Sequence, residues 1–336
     1  MDKGKKKGVR IESLSIRDYK GIDHLELEFP LPPMESDPDI TVIGSRNGVG
    51  KTSVLECCAL LLAAASPQDK SLHPLVGQRS IESYVRVGTA HVALSGGVSV
   101  EGACRSVDIT LFPVSVKARG GNIDVSNIIL SQALQLLEPT TNPLINTSFV
   151  FLQSHRKVQE GRIKLGELLD GAKEPAGGLF KQLALRSMMR DAGMFEVEEA
   201  AKYDGFMDRL NSLLGDFAEV KLGKLKPYAD NTMDIRVTPF GRDDTYSFDG
   251  LSSGQKEMVA TLFLIWACTK DNPKVVLIDE PELHLNIEWH RLFIEKMMEL
   301  APRNQYIVAT HSEDVMGAVP SEQRVILTNE MELERK

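Results

Sequence analysis

Ser45-Arg46-Asn47-Gly48-Val49-Gly50-Lys51-Thr52 brings together the three things a polyphosphate needs: backbone amides free to turn inward, a cation and a hydroxyl. Gly48 and Gly50 let the chain close its N–H groups on phosphate oxygens. Lys51 can neutralise the β/γ charge, and the Thr52 hydroxyl can hold Mg²⁺. The stretch fits the pattern Gly-x4-Gly-Lys-Ser/Thr except at its first position, where Ser45 stands and Gly44 comes one residue early. That departure bears on the turn out of the preceding strand, not on the phosphate cradle.

Two carboxylates, Asp279 and Glu280, end the apolar run Lys274-Val275-Val276-Leu277-Ile278. Carboxylates there would be costly if buried and unpaired. The carboxyl edge of an open sheet, where ligands of α/β folds bind, is the place that suits them. Asp279 would then organise Mg²⁺, and Glu280 would polarise the water that attacks a γ-phosphate. A pair that merely caps the strand before Pro281 is the structural alternative. His311, in Thr310-His311-Ser312, ends the following strand and can reach the same edge as a γ-phosphate contact. Gln153, ending Ser148-Phe149-Val150-Phe151-Leu152, is a weaker candidate for a metal or water ligand. Leu251-Ser252-Ser253-Gly254-Gln255-Lys256-Glu257 is a short polar turn before the apolar run Met258 to Ala267, with Ser253 and Gly254 suited to capping a helix start.

The elements needed to position these residues are legible as periodicity. Ile40-Thr41-Val42-Ile43 reads as a short buried strand into the Gly-rich loop, and the run from Thr52 to Ala65 reads as a helix apolar on nearly all sides. Arg10 to Ile16 and Leu25 to Phe29 alternate as a hairpin around Lys20-Gly21. Tyr84 to Phe112 reads as an antiparallel meander, with strands at 84–87, 91–94, 98–100 and 107–112 separated by turns at Gly88, Gly96-Gly97 and Gly102, pairing with that hairpin. The section from Ile163 to Leu225 reads as helical, with segments at 179–190 and 195–214 and no sustained heptads. Strand patterns return at 233–237 and 246–248. The 274–278 run, a helix at 287–300 and strands at 305–310 and 324–327 form a βαβ-rich end. Asp243-Asp244, beside Gly241 and Arg242, reads as a hairpin turn rather than a metal site. The expectation is one α/β unit over 1–336, with a β lobe inserted early (within 1–155), a helical lobe at 156–230 and the second half of the site at 231–336.

Composition narrows the function classes. With 336 residues, 42% of them hydrophobic and 26% charged, the chain is long enough for one large domain with insertions. Its 39 Lys and Arg against 47 Asp and Glu give a net charge of −8, which argues against a nonspecific nucleic-acid coat. The local basic run Lys3, Lys5, Lys6, Lys7 reads as a solvated tail, with a phosphate contact as the alternative. Cys57, Cys58, Cys104 and Cys268 show no CxxC pair, and three lie in apolar helical runs, so buried thiols in a reducing, cytoplasmic compartment are expected. The longest apolar stretch, Val54 to Ala65, is too short to span a bilayer and has no signal-peptide layout.

In order, Gly50-Lys51-Thr52, Gln153, Leu251-Ser252-Ser253-Gly254-Gln255, Ile278-Asp279-Glu280-Pro281-Glu282-Leu283-His284-Leu285 and Thr310-His311-Ser312 resemble the Walker A, Q-loop, signature, Walker B and switch-histidine motifs of ABC-type ATPases. Leu14-Ser15-Ile16-Arg17-Asp18-Tyr19-Lys20-Gly21 and Pro281-Glu282-Leu283-His284-Leu285 are similar to the RecF/SMC-related branch of AAA-type P-loop proteins. That branch takes in OLD-like ATPases and the ATPases of anti-phage systems such as Septu, PARIS and retrons. Ser253 stands where transporters have Gly, as this branch allows.

The resemblance implies a P-loop NTPase head that binds ATP and Mg²⁺ and pairs with a second copy. Nucleotide contacts would come from Asn47, Gly48, Gly50, Lys51, Thr52 and Ser53 of one copy and from Ser252, Ser253, Gly254 and Gln255 of the other. Thr52, Gln153 and Asp279 would hold the metal, while Glu280, His311 and Lys51 would serve hydrolysis. It further implies a separate nuclease or toxin partner gated by the head, with no membrane component. Two other readings stay open: a RecF-like repair clamp that contacts DNA, and a slowly hydrolysing ATP-dependent scaffold.

Overall fold

The computed structural model describes residues 8–32, 34, 37–45, 48–65, 84–112, 115–120, 123–125, 144–145, 147–164, 178–193, 203–328 and 333–334. The early lobe is a sheet of β1 (Val9–Ile11), β2 (Ser13–Tyr19), β3 (Ile22–Glu28), β5 (Val92–Val100), β6 (Ala103–Phe112), β7 (Ser115–Gly120) and β8 (Ile123–Val125). Its pairings are antiparallel, and β2 joins the hairpin to β5 as the alternation predicts. Two expectations fail here. Tyr84 to Val87 forms only an isolated bridge, Tyr19 to Val85, and Gly96-Gly97 lies inside β5 rather than in a turn. The glycines are there for close approach: a Cβ on Gly96 would lie 2.2 Å from the Ser13 carbonyl oxygen and 2.7 Å from Leu61 Cδ2.

The central sheet runs β20 (Leu333–Glu334), β19 (Arg324–Leu327), β4 (Asp39–Gly44), β18 (Gln305–Thr310), β17 (Val275–Asp279), β10 (Phe149–Leu152), β9 (Leu144–Ile145). Its five inner strands are parallel. The uninterrupted apolar runs follow from burial on both faces. Phe149, Phe151, Leu277, Ile307 and Ala309 join one core cluster, which also holds the β lobe and α1 (Lys51–Ala65). Their neighbours Val150, Leu152, Ile278, Tyr306 and Val308 join a second cluster on the other face. There they meet α2 (Gly178–Asp191), α3 (Phe206–Ala218), α4 (Ser253–Thr269) and α5 (Ile287–Leu300). α1 is buried all round because it lies between two sheets. A short α6 (Glu313–Gly317) follows β18.

The 163–225 section is not helical throughout. Its ends are β11 (Ile163–Lys164) and β12 (Val220–Leu222), which pair with β14 (Thr232–Asp234) and β15 (Arg236–Pro239). Their strand character comes from partners later in the chain, which local periodicity cannot show. The run read as one strand at 233–237 is therefore two, divided between small sheets that also contain β13 (Lys226–Pro227) and β16 (Tyr246–Ser247). Residues 194–202, the start of the helix expected at 195–214, lie outside the described residues, as do Lys3, Lys5, Lys6 and Lys7.

Candidate functional site

β4 delivers the chain to the phosphate-type loop. Gly44 is its last residue, and a Cβ there would meet Met316 Sδ of α6 at 2.8 Å, so this glycine serves packing rather than the loop's turn. The turn falls on Gly48 (φ 85°) and Gly50 (φ 98°), backbone conformations that favour glycine. Ser45, at the position where the pattern asks for glycine, has a use of its own: Lys51 Nζ donates to its carbonyl at 3.1 Å and lies 3.3 Å from its hydroxyl. Lys51 and Ser53 are buried at the head of α1. Asn47 and Arg46 lie outside the described residues.

The parallel register sets the ends of β4, β18, β17 and β10 side by side, and the acidic pair sits among them. Thr52 Oγ1 donates to Asp279 Oδ2 at 2.9 Å, joining the loop to the end of β17. Asp279 is 1% exposed, and its other oxygen, Oδ1, is buried with no hydrogen-bond partner among the described residues. Burial pushes the carboxyl up to about 6, and the charge of Glu280 adds to this. The Thr52 hydroxyl and Arg156 hold it down, with Ser154 the weakest influence. A buried orphan carboxylate oxygen beside a hydroxyl is a donor set that suits a hard divalent cation. Gln153 follows directly on Leu152, which pairs with Ile278, so it flanks Asp279 on the next strand.

Glu280 takes a left-handed backbone (φ 48°) fixed by its N–H, which donates to the Ala309 carbonyl at 2.8 Å. His311 Nδ1 lies 3.4 Å from Glu280 Oε1 and 3.2 Å from Glu282 Oε1, so the histidine stands between two carboxylates. Glu282 is buried and accepts from the Thr310 hydroxyl at 2.8 Å and the His311 N–H at 3.0 Å. Sequence reasoning missed its role in holding His311, although it lies two residues past Glu280. It also missed Arg156, which is buried and donates to the carbonyls of Gln153, Asp279 and Glu280. The one trace of Arg156 in the sequence is its place three residues after a polar strand end.

The start of α4 is built differently. Ser252 caps the helix: its Oγ accepts from the Gln255 N–H at 3.2 Å, and Gln255 Oε1 accepts from the Ser252 N–H at 3.0 Å. This reciprocal capping box satisfies two amides locally and leaves Ser252 and Ser253 exposed. Ser253 lines a cavity of about 220 Å³ with Lys157, Val158, Glu160, Lys256, Glu257 and His284. A Cβ on Gly254 would lie 3.1 Å from the His284 carbonyl oxygen. The structure thus brings Lys51, Thr52, Asp279, Glu280, His311 and Gln153 to one edge. It surrounds Ser253 and Gly254 with the 157–160 and 284–289 segments instead.

An AAA ATPase domain model matches residues 152–316, and an AAA domain model matches residues 13–109. The chain is 24% identical over 329 residues to the Septu protein PtuA of Bacillus mycoides, covering 95% of this chain and 41% of that protein. It is 29% identical over 135 residues to a retron Vc95 probable ATPase of Vibrio cholerae, covering 37% and 25% of the two chains. It is 23% identical over 327 residues to an OLD nuclease of Thermus scotoductus, covering 90% and 59%. The chain therefore spans less than two thirds of the length of each of these relatives. Among solved structures, an Smc head bound to the C-winged helix domain of ScpA superposes with a TM-score of 0.60 at 13% identity, covering 95% of this chain and 94% of that one. The recombination mediator RecF superposes with a TM-score of 0.55 at 12% identity, covering 98% and 99%. Over its motif-bearing stretches the chain is thus similar to AAA ATPase domains, and its fold is that of the Smc-head and RecF structures.

Proposed function

We propose that two copies of this head close around two ATP molecules and that the closed or open state of the pair gates a separate nuclease or toxin in anti-phage defence. The observation that carries the pairing is the division of the motifs. The loop, acidic pair and histidine share one edge, while Ser252 and Ser253 face outward from a helix that satisfies its own cap. A helix N-terminus with exposed hydroxyls suits a phosphate brought by another molecule. The defence role is supported by the Septu and retron relatives.

In this reading Lys51 leaves Ser45 to neutralise the β/γ oxygens, with Gly48, Gly50 and Ser53 framing the phosphate chain. Thr52, Asp279 and Gln153 would hold Mg²⁺, which supplies charge neutralisation at the β and γ oxygens when bound. Glu280 takes a proton from water as the water oxygen attacks the γ-phosphorus and the bond to the β-phosphate oxygen breaks, leaving ADP and phosphate. His311, steadied by Glu282, contacts the γ-phosphoryl oxygens. Ser252, Ser253, Gly254 and Gln255 of the second copy complete the site.

Glu280→Gln tests this arrangement by phosphate release and light scattering with ATP. The expected outcome is retained nucleotide binding, turnover lower by 100-fold or more, on the order of the loss of a general base, and accumulation of a closed pair. Wild-type turnover in that variant would remove Glu280 from the role. A pair that forms equally without ATP would remove the clamp. Capture of a nuclease in the ATP state, and not in the ADP state, is the expected sign of gating.

A further inference from the structure

One guanidinium ties its own strand end to two segments distant in sequence, the end of β17 and the start of α4. Arg156 Nη1 donates to the Asp279 carbonyl at 2.7 Å and the Gln153 carbonyl at 3.3 Å, and Nη2 donates to the Glu280 carbonyl at 2.9 Å. Nε forms a buried ion pair with Glu257 Oε1 at 2.8 Å. Glu257 is itself buried in the second turn of α4 and accepts from the Thr261 hydroxyl at 3.2 Å. A planar fork with fixed donor directions can span these oxygens at once, whereas an ammonium would have to choose among them.

The contacts have a direction. Two of the carbonyls belong to Asp279 and Glu280, whose side chains face the reaction. Glu280 holds a left-handed backbone that a residue with a side chain keeps only when its surroundings fix it. Its N–H is held by Ala309 and its carbonyl by Arg156. At the other end, Ser253 and Glu257 are four apart on α4, so they share a helix face, and both line the same cavity.

We infer that Arg156 is a positioning residue that couples the exposed start of α4 to the aim of Glu280. The inference rests on the reading that Ser253 meets the nucleotide of a second copy. A contact at Ser253 displaces the helix face that carries Glu257. The ion pair draws Arg156 with it, and the carbonyl fork turns the peptide that orients the Glu280 carboxylate. A head without a partner therefore binds ATP with Glu280 out of line, and pairing brings it into line.

The experiment is steady-state ATP hydrolysis with separate measurement of ATP affinity for Arg156→Lys, Glu257→Gln and the double variant. Arg156→Lys is expected to lower kcat by about 100-fold, the order seen for small misplacements of reacting groups, with KM and ATP affinity within about threefold of wild type. Glu257→Gln is expected to lower kcat alone. The double variant should be no slower than Arg156→Lys, because both changes break one linkage. A kcat for Arg156→Lys within about threefold of wild type, or single losses that multiply in the double variant, would overturn the inference. If Arg156→Lys does not fold, Glu257→Gln decides, since it keeps shape and leaves Arg156 in place: unchanged kcat overturns the coupling. If Glu280→Gln turned over like wild type, the underlying reading would fail instead. Slow Arg156→Lys and Glu257→Gln variants beside a slow Glu280→Gln support both, and a Glu257→Gln with wild-type kcat overturns the coupling even where Arg156→Lys is slow.

Discussion

The edge formed by Lys51, Thr52 and Asp279 and the turn at Ser252 to Gln255 handle polar groups in opposite ways. At the first, Asp279 Oδ1 is buried with no partner among the described residues and the carboxyl's proton affinity is raised, so the protein carries a local electrostatic cost that a cation would relieve. At the second, two amides are satisfied within four residues and the hydroxyl surface is left to solvent. The first region is incomplete within its own chain and the second is complete. A site that must capture a charged ligand gains from the first construction, and a helix start that must move as one piece when another molecule touches it gains from the second.

The contrast predicts separable losses. Lys51→Ala should weaken ATP binding by about 10–100-fold, the worth of charge-assisted hydrogen bonds, whereas Ser253→Arg should leave binding to an isolated chain within about threefold and abolish ATP-driven pairing. Equal loss of both properties in Ser253→Arg, read by equilibrium binding and light scattering, would merge the two regions. Next in size is Asp279→Asn. The folded carboxyl titrates near 6, above its ordinary value of 3.8, so its ionised form costs stability at neutral pH and that cost vanishes below about 4. The variant should be more stable than wild type by on the order of 2 kcal/mol at pH 7.5 without nucleotide, with the gain fading in melts between pH 6 and pH 4 and hydrolysis lost. A gain that does not depend on pH would separate the effect from the carboxylate. Smallest is Ser252→Ala, which removes one cap bond and should lower stability by about 1 kcal/mol while the ATP affinity of an isolated chain stays unchanged.

The inner strands, α1 and the acidic pair were legible because each is locally determined: an apolar run burials both faces of a strand, and Gly-Lys-Thr has few other uses at a helix mouth. The same local reading misjudged Gly96-Gly97, where the cause is the Ser13 backbone some eighty residues earlier, and 163–164 and 220–222, whose strand partners come later. Arg156 was illegible for a similar reason. Nothing in Gln153-Ser154-His155-Arg156 announces that three carbonyls and a carboxylate will converge on its side chain.

Along one face of α1, Thr52 and Glu56 lie a turn apart. Thr52 holds the end of the central sheet, while Glu56 Oε2 accepts from the Tyr19 hydroxyl at 3.0 Å and from Lys20 Nζ at 2.5 Å in the turn of the β-lobe hairpin. Four residues of helix span about 6 Å and scarcely stretch. The hairpin turn is thus keyed to the residue that would grip the metal, like a pointer fixed to its spindle. A molecule that gripped the β lobe at this turn would be reading, at the surface, the position of an atom at the edge proposed for catalysis.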